Sequence, residues 1–515
     1  MGIVTRINTA FTRANNVLAG QSIWVVAIAA LAIIQTTLII THIPWADEWQ
    51  AALIALEAPD LAVMMAWLRY EGHPPLWYLL LRAIGSIAPP DAVLWIAALL
   101  CAIVVQAIIL FACPFGRLER LLLASSQFVL FEFLTISRGT TLGIALIMVA
   151  MLAWSKAQDR GGIWRWTFWI VMALLPSVDF FFGVISGVFL IMKWRERDVW
   201  WPGISLWLAG GAIAAWSILP APDIVSAFEA FKPVSGQSQM MDVLFGWIRK
   251  IGSLPFPFQG GILPQWNSPV YPIESLAWIG MLALCAVLTR AFPWNRLLIF
   301  GFFGFTFAFS LAVYPIGLRH LMLGAFLLLL MVWRQWQLEP QADALKSAVL
   351  RGWLALLAIC GLASSTMSAV IGFDAAPKAL AEIERLGLSD KHWIMLPEWR
   401  SAGIAGRSNI TFGRPGEQCD FTFVRWDKHY SELASKETFT AMLEREIAQH
   451  GRSYFMSDIS FNDFPADLIA PLAEIPAGYD GVDYNLYIIG RNAAEKPVSL
   501  PRCHSINTAQ SVPIP

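Results

Sequence analysis

Charged residues are scarce in this chain. Asp, Glu, Lys and Arg together make up 14% of its 515 residues, and apolar residues make up 57%, whereas roughly a quarter of an ordinary soluble domain is charged. This composition excludes a water-soluble globular protein. The 36 Lys and Arg nearly balance the 37 Asp and Glu, and the sequence has no Gly-rich phosphate loop. Composition therefore gives no indication of a nucleic-acid partner.

Cysteine is rare as well, with six residues in the chain. Four of them lie in or beside apolar stretches, at Cys101, Cys113, Cys285 and Cys360. Their spacing suits no metal site. Cys419 and Cys503 lie in a more polar C-terminal part. If that part is outside the cytoplasm they could form a disulfide, and two free thiols are the alternative.

Long apolar runs dominate the first three quarters of the chain. Stretches of about 20 residues, each long enough to cross a hydrocarbon layer of roughly 30 Å, recur from Gln21 to about Asp374 and then stop. Residues 1–372 carry 22 Lys and Arg against 18 Asp and Glu, and residues 373–515 carry 14 against 19. The sequence therefore predicts a transmembrane domain at 1–372 and a soluble domain at 373–515 that is large enough for its own core.

The predicted fold is an α-helical polytopic membrane protein of about 11 transmembrane helices with a small C-terminal α/β domain. The first span, Gln21–His42, follows Arg6 and Arg13, so we expect the N-terminus to be cytoplasmic. The other spans are expected near 91–112, 119–136, 139–155, 163–177, 180–194, 200–219, 270–289, 294–313, 319–336 and 351–372.

The apolar segment 75–87 decides the orientation of all later spans. If it lies along the surface, fifteen Lys and Arg of residues 1–372 are cytoplasmic and seven are outside; if it crosses, the numbers become eight and fourteen. The positive-inside bias favours the surface-lying helix. Two outer loops, 43–90 and 220–269, and the tail then share the outer face, which in a bacterial inner membrane is periplasmic.

The tail alternates helical and strand-like patterns, which is typical of a small α/β domain. Strand order cannot be read from the sequence. Helices are expected at Ala376–Leu386 and Lys436–His450, and strands at 393–396, 421–425, 453–456 and 485–489.

The first outer loop holds the strongest group of polar residues. Asp47 and Glu48 come directly after the first span, and Glu71 and His73 follow some 25 residues later, before Pro74-Pro75. Acids at the membrane edge are costly in lipid and useful in an aqueous pocket. Successive helical residues point about 100° apart, so one acid can face a pocket while the other makes a structural contact. A solvated loop with interfacial aromatic anchors is the alternative.

Further polar residues fall at the outer ends of later spans. Arg138 can bind a phosphate with both arms of its guanidinium, although arginines at span ends also snorkel to headgroups. Glu132 lies in an apolar stretch, where an acid is a functional candidate. The remaining candidates for binding a substrate are Asp179, Lys232, Arg319 and His320.

Acids and arginines at one membrane edge suit a lipid-linked phosphate whose chain stays in the bilayer. A carboxylate such as Asp47 can take the proton of an incoming hydroxyl. Arg138 and Arg319 can stabilise the phosphate that leaves. This chemistry is sugar transfer.

The motifs resemble those of the GT-C superfamily of membrane glycosyltransferases, in particular the protein O-mannosyltransferase and aminoarabinose transferase branch. The resemblance rests on the acidic pair after the first span, the Glu71-Gly-His73-Pro-Pro-Leu sequence, Ser137-Arg138-Gly139 and Arg319-His320. It covers roughly residues 20–340.

The resemblance implies a polyprenyl-phosphate sugar donor, an inverting single displacement and an active site on the periplasmic side. It assigns the catalytic role to Asp47, with Glu48 beside it, and leaves a lipid or polysaccharide of the cell envelope as the acceptor. Gly-Thr-Thr follows Arg138 where many relatives have an acid. A divalent metal is therefore possible and not indicated, and we assign no cofactor or metal ligand.

Three other functions fit parts of the sequence. A transporter or flippase of a lipid-linked solute would also need many spans, but such proteins usually show paired half-repeats with broken helices at mid-membrane. A non-catalytic assembly protein does not explain the clustering of Asp47, His73 and Arg138. A polymerase or ligase of surface polysaccharide uses the same class of donor and is harder to separate.

Overall fold

The computed structural model describes residues 2–160, 162–224, 237–258, 274–339, 343–415, 417–430, 435–461 and 464–503. Within these ranges the chain is mostly helical. The α-helices are Ile3–Leu18, Gln21–Thr41, Ala46–Glu57, Leu61–Glu71, Leu76–Gly85, Val93–Ala112, Arg117–Ala124, Gly139–Arg160, Ile163–Leu174, Phe180–Arg195, Trp201–Ser217, Gln237–Ser253, Glu274–Leu288, Pro293–Ala312, Leu318–Leu338, Ala344–Ile371, Ala376–Arg385, Ser401–Ala405 and Lys436–His450.

The helical membrane part of the prediction is confirmed. Six helices in the described ranges are long and apolar enough to cross a membrane, and other predicted spans correspond to shorter helices. The six are Gln21–Thr41, Pro90–Ala112, Gly139–Ala157, Pro293–Ala312, Leu318–Leu338 and the helix that begins at Ala344. The segment predicted to lie on the surface is the ten-residue helix Leu76–Gly85, which at about 1.5 Å per residue is too short to span.

One predicted span, 119–136, is not a continuous α-helix. It consists of the helix Arg117–Ala124 and a π-helical turn, Gln127–Phe133. The long helix Ala344–Ile371 packs against this break through Gly361, where a Cβ atom would lie 2.3 Å from the carbonyl oxygen of Ser125. A close approach of two backbones at this point therefore requires glycine.

In the described residues the C-terminal domain is built on a six-stranded mixed sheet. The strands are β1 (Trp393–Met395), β2 (Phe412–Gly413), β3 (Asp420–Phe421), β4 (Ser453–Ser457), β5 (Ile469–Ile475) and β6 (Tyr484–Ile489). Their order in the sheet is β3-β2-β1-β4-β6-β5; β1 and β4 pair in parallel, and β4 pairs antiparallel with β6. The prediction of a small α/β domain is confirmed.

The individual tail predictions differ in accuracy. Both helices and the strands now called β1, β4 and β6 are confirmed within a residue or two. The strand expected at 421–425 is wrong beyond Phe421, because the chain leaves the sheet there and Val424 pairs instead with the side chain of Gln50. The sequence analysis missed β2, which is only two residues long, and β5.

The tail domain contacts the helix Ala46–Glu57, which follows the first apolar helix. The Gln50 side chain donates to the carbonyl of Val424 at 2.8 Å and accepts from its N–H at 3.1 Å. Nearby, the Arg407 guanidinium donates to the carbonyl of Pro44 at 3.0 Å. The helix that carries Asp47 is thus held between the membrane part and the tail.

Cys419 and Cys503, whose pairing the sequence left open, form a disulfide. The four cysteines in the membrane part are free and buried.

Candidate active site

Asp47, Arg138 and Arg319 meet at one point, as the sequence predicted. Arg138 Nη2 lies 2.9 Å from Asp47 Oδ2, and Arg319 Nη1 lies 3.8 Å from the same oxygen. The three side chains are 32%, 18% and 22% exposed respectively. One carboxylate and two guanidinium groups therefore line a partly open site, to which a polar ligand has access.

Arg138 has donor capacity that its neighbours leave unused. Its guanidinium lies over the ring of Trp45, 5.3 Å from the centroid. While Nη2 is paired with Asp47, Nη1 is buried and has no hydrogen-bond partner among the described residues. A buried, unsatisfied donor on a cation is costly and marks a position for an anionic oxygen.

The site is assembled from the N-terminal ends of helices. Asp47 is in the first turn of Ala46–Glu57, Arg138 directly precedes Gly139–Arg160, and Arg319 is the second residue of Leu318–Leu338. The backbone N–H of Arg138 donates to Thr141 Oγ1 at 3.2 Å, which fixes the start of its helix. Helix N-termini carry a partial positive charge, so this arrangement adds to the attraction for an anion.

Glu48, predicted beside Asp47 as a catalytic residue, is fully buried. Its carboxylate lies 2.9 Å from His42 Nε2 and accepts from the backbone N–H groups of Trp45 at 3.1 Å and Ser137 at 2.6 Å. The contact with Ser137 ties the helix that carries Asp47 to the loop that carries Arg138. Glu48 therefore has no open face towards a substrate, and its contacts position the two sides of the site.

Glu71 lies behind Asp47 and is bonded to the same helix. Gln50 donates to Glu71 Oε1 at 2.8 Å. Burial raises the pKa of Glu71 to about 8, the Gln50 hydrogen bond opposes this shift, and the charge of Asp47 adds to it. Near neutral pH Glu71 is therefore mainly protonated.

His320 lies on the floor of the site, packed on Phe181 with ring centroids 4.8 Å apart. Its Nε2 is 3.5 Å from the hydroxyl of Tyr314, and its Nδ1 is buried with no hydrogen-bond partner in the part of the chain that the structure describes. Lys250 donates to the carbonyl of Ile316 at 2.8 Å and acts electrostatically on His320. Burial lowers the pKa of Lys250. Lys250 thus brings a further positive charge to the site from the helix Gln237–Ser253.

The other predicted binding residues lie around this group or outside the described ranges. Asp179 caps the helix Phe180–Arg195 by accepting from the N–H of Phe181 at 2.8 Å, and it acts electrostatically on Tyr314. His73 is exposed and acts electrostatically on His320. Lys232 lies outside the described residues.

Glu132, which the sequence analysis singled out as a functional candidate because it lies in an apolar stretch, is 4% exposed. One of its carboxylate oxygens has no hydrogen-bond partner among the described residues.

A cavity of about 1030 Å³ is lined by residues of both the membrane part and the tail. Ile39 and Leu94 line it from two apolar helices, and Arg407 and Thr411 line it from the tail. His42 and Ser137, both bonded to Glu48, line it as well. The cavity therefore has both apolar and polar lining residues and adjoins the partners of Glu48.

Sequence reasoning missed the contribution of the tail and the role of Gln50. Gln50 contacts both Glu71 and Val424, and the second contact joins residues 374 positions apart. No local pattern indicates such a pair. The sequence offers one indication that Gln50 lies near the site. Gln50 is three residues after Asp47 in the same helix, so the two side chains lie on neighbouring parts of the helix surface.

Comparison with known proteins gave similarities to solved structures only. No family model matches the chain and no curated protein matches it. ArnT from Cupriavidus metallidurans bound to undecaprenyl phosphate is 14% identical, with a TM-score of 0.40 over 93% of this chain and 100% of that chain. The apo structure of ArnT from Cupriavidus metallidurans is 13% identical, with a TM-score of 0.43 over 92% and 99%.

Both TM-scores are below 0.5, so these similarities assign no function to this chain.

Proposed function

We propose that this protein is a membrane glycosyltransferase that moves a sugar from a polyprenyl-phosphate donor to a cell-envelope acceptor by an inverting single displacement. The observation that carries the proposal is the contact of one accessible carboxylate, Asp47, with two arginines, Arg138 and Arg319. The resemblance of the first-loop motifs to GT-C enzymes supports the same reaction.

The donor phosphate is assigned to the two arginines. Arg138 Nη1 has no partner among the described residues and donates to one phosphate oxygen, while Arg319 donates to another. A phosphate in this position lies at the ends of the helices Gly139–Arg160 and Leu318–Leu338, whose N-terminal dipoles stabilise it further. The polyprenyl chain then remains in the bilayer beside the site.

Asp47 acts as the general base. Its carboxylate takes the proton of the acceptor hydroxyl as that oxygen forms a bond to the anomeric carbon. The bond between the anomeric carbon and the phosphate oxygen breaks, and its electron pair stays on the phosphate. Arg138 and Arg319 stabilise the charge that develops there.

Glu48 is a positioning residue in this proposal. Its buried carboxylate joins the Asp47 helix to the Ser137-Arg138 loop, so it sets the distance between the base and the phosphate-binding arginine. The cavity that His42 and Ser137 line is assigned to the second substrate, because its lining combines apolar residues of the spans with polar residues of the tail.

The site is proposed to face the periplasm of a bacterial inner membrane. The positive-inside count supports this orientation. The disulfide Cys419–Cys503 supports it as well, because such bonds persist in oxidising compartments.

The test is a transfer assay in membranes that contain the protein and are supplied with radiolabelled polyprenyl-phosphate sugars. We expect the wild type to move label into a lipid or polysaccharide fraction, and Asp47→Asn to lose at least about 100-fold of that rate. Asp60→Asn is the matched control, because Asp60 is an exposed helix cap in the same loop and asparagine caps equally well. If Asp47→Asn transfers sugar at the wild-type rate, Asp47 is not the general base.

A further inference from the structure

A second group of chemically reactive side chains lies in the tail, outside the proposed active site. His392, Glu446 and His450 each place one ligand atom within 4.8 Å of the other two. Glu446 Oε1 lies 2.8 Å from His392 Nε2 and 3.9 Å from His450 Nε2. The three side chains are 8%, 7% and 12% exposed, so this is an enclosed group and not a solvated surface cluster.

The fold brings these three residues together from different elements. Glu446 and His450 are four residues apart and share one face of the helix Lys436–His450. His392 directly precedes β1, and its carbonyl accepts from the N–H of Tyr454 in β4 at 3.0 Å. Gly413 in β2 leaves room for the imidazole, since a Cβ atom there would lie 2.3 Å from His392 Cε1.

A further carboxylate lies near this group. Asp420 pairs with Gly413 across β2 and β3 and acts electrostatically on both His392 and His450. Thr411 donates to its Oδ2 at 3.1 Å, whereas its Oδ1 is buried with no hydrogen-bond partner among the described residues. A buried carboxylate oxygen without a donor is itself an indication of a missing cation.

From this geometry we propose that His392, Glu446 and His450 bind a divalent cation of the zinc class, with water as the fourth ligand and the Asp420 carboxylate nearby. Tetrahedral Zn²⁺ at about 2.0–2.1 Å places its ligand atoms about 3.3 Å apart, which is between the two distances from Glu446 Oε1, 2.8 and 3.9 Å. Two imidazoles and one carboxylate favour Zn²⁺ over Mg²⁺ or Ca²⁺, which prefer oxygen ligands.

The position of the site suggests what the ion does. His450 is the last residue of its helix, and a cation at a helix C-terminus is stabilised by the helix dipole. The ion joins this helix to the sheet at the start of β1, which His392 directly precedes. Its role is structural, and it is independent of the chemistry proposed for Asp47.

The experiment measures metal bound to the purified full-length chain, isolated in detergent with a tag that contains no histidine and treated with a chelator. After Zn²⁺ is added and excess is removed, we expect one Zn²⁺ per wild-type chain. Glu446→Gln and His450→Ala should each weaken Zn²⁺ binding at least tenfold in competition with a chelating dye. Glu446→Gln preserves the shape of the side chain, so its Zn²⁺ affinity tests the proposed site even if His450→Ala folds poorly.

His429→Ala is the matched control. His429 is also in the tail but is 42% exposed, with its Nδ1 3.2 Å from Glu417, and this variant should bind Zn²⁺ like the wild type. The proposal is overturned if the wild type retains no Zn²⁺, because the three side chains would then form a hydrogen-bonded His–Glu group without a metal. It is also overturned if Glu446→Gln binds Zn²⁺ as tightly as the wild type does. Sugar transfer is not part of the readout, so either result leaves the proposed function untouched.

Discussion

Arg138 pairs with Asp47 through one amino group at 2.9 Å and keeps the other, Nη1, buried and without a hydrogen-bond partner among the described residues. This relationship connects the two halves of the proposed reaction. The paired arm holds the base in place, and the second arm is available to the phosphate.

The first prediction concerns the shape of the Arg138 side chain. Arg138→Lys keeps the positive charge but cannot reach Asp47 and a phosphate at the same time, because the ammonium lacks the planar fork. We expect transfer to fall at least about tenfold, a loss of roughly 1.4 kcal/mol in transition-state stabilisation. The measurement is the initial rate of sugar transfer in membranes with equal amounts of protein.

Arg385→Lys is the control for this substitution, since Arg385 pairs with Glu382 on the exposed face of a tail helix. It should transfer at the wild-type rate. If Arg138→Lys also does so, the two-armed role of Arg138 is excluded.

The second prediction separates Glu48 from Asp47. The buried carboxylate of Glu48 contacts His42 and the backbone N–H groups of Trp45 and Ser137. In Glu48→Gln one of its two oxygens is replaced by an amide N–H₂, which faces a donor instead of accepting from it. Hydrogen bonds to charged groups contribute about 1.5–3 kcal/mol each, so we expect a clear fall in the melting temperature of the detergent-solubilised protein. Asp47→Asn should leave it nearly unchanged.

Glu384→Gln provides the comparison for Glu48→Gln, because Glu384 is exposed in the tail. A melting temperature for Glu48→Gln equal to that of Glu384→Gln would show that the buried contacts of Glu48 do not support the fold.

The third prediction is a pH dependence set by Glu71. Its pKa of about 8 in the folded protein exceeds the ordinary value of 4.5, so the folded state binds more protons than the unfolded state between these values. Stability therefore falls as the pH rises from about 5 towards 8. Above pH 8 the ionised Glu71 also adds a negative charge beside Asp47, which opposes phosphate binding, so transfer should decline there.

Glu71→Gln removes this titration while the Gln50 contact can be kept. We expect the decline of transfer above pH 8 to become weaker in this variant, as measured by rate profiles from pH 6 to 9. Identical profiles for the wild type and Glu71→Gln would contradict the assignment.

The fourth prediction tests the packing of the last long helix. Gly361→Ala places a methyl group 2.3 Å from the carbonyl oxygen of Ser125, and such overpacking typically costs 1–3 kcal/mol. We expect a lower melting temperature. Gly352→Ala, in the same helix with no atom within 4 Å of the added methyl, should be neutral or stabilising by up to about 1 kcal/mol, and equal effects of the two changes would refute this packing.

The sequence predicts most of the fold because apolar runs and charge bias are local signals. It also places Asp47, Arg138 and Arg319 on one face, and the structure brings them together. Helical geometry indicated that one acid of the Asp47-Glu48 pair would face a pocket while the other made a structural contact. Only the packed structure identifies Glu48 as the buried one, because its partner Ser137 is 89 residues away.

Other features depend on contacts without any sequence pattern. The pairing of Gln50 with Val424 forms only when the tail contacts the helix Ala46–Glu57. The grouping of His392, Glu446 and His450 forms only when the tail itself is folded. The break between Ala124 and Gln127 was missed for a different reason. Its residues are apolar enough to read as part of a continuous span, and the close approach of Gly361 that accompanies the break comes from a distant helix.

The most direct test of the proposed function measures binding of the carrier lipid and sugar transfer in the same Asp47→Asn preparation, with a polyprenyl phosphate that carries no sugar as the binding probe. Removing the negative charge frees Arg138 and Arg319 for the phosphate, so we predict binding at least as tight as in the wild type, together with a loss of transfer of at least about 100-fold. Unchanged transfer, or loss of both activities together in a protein of wild-type melting temperature, would contradict the proposed division between a catalytic carboxylate and a phosphate-binding arginine pair.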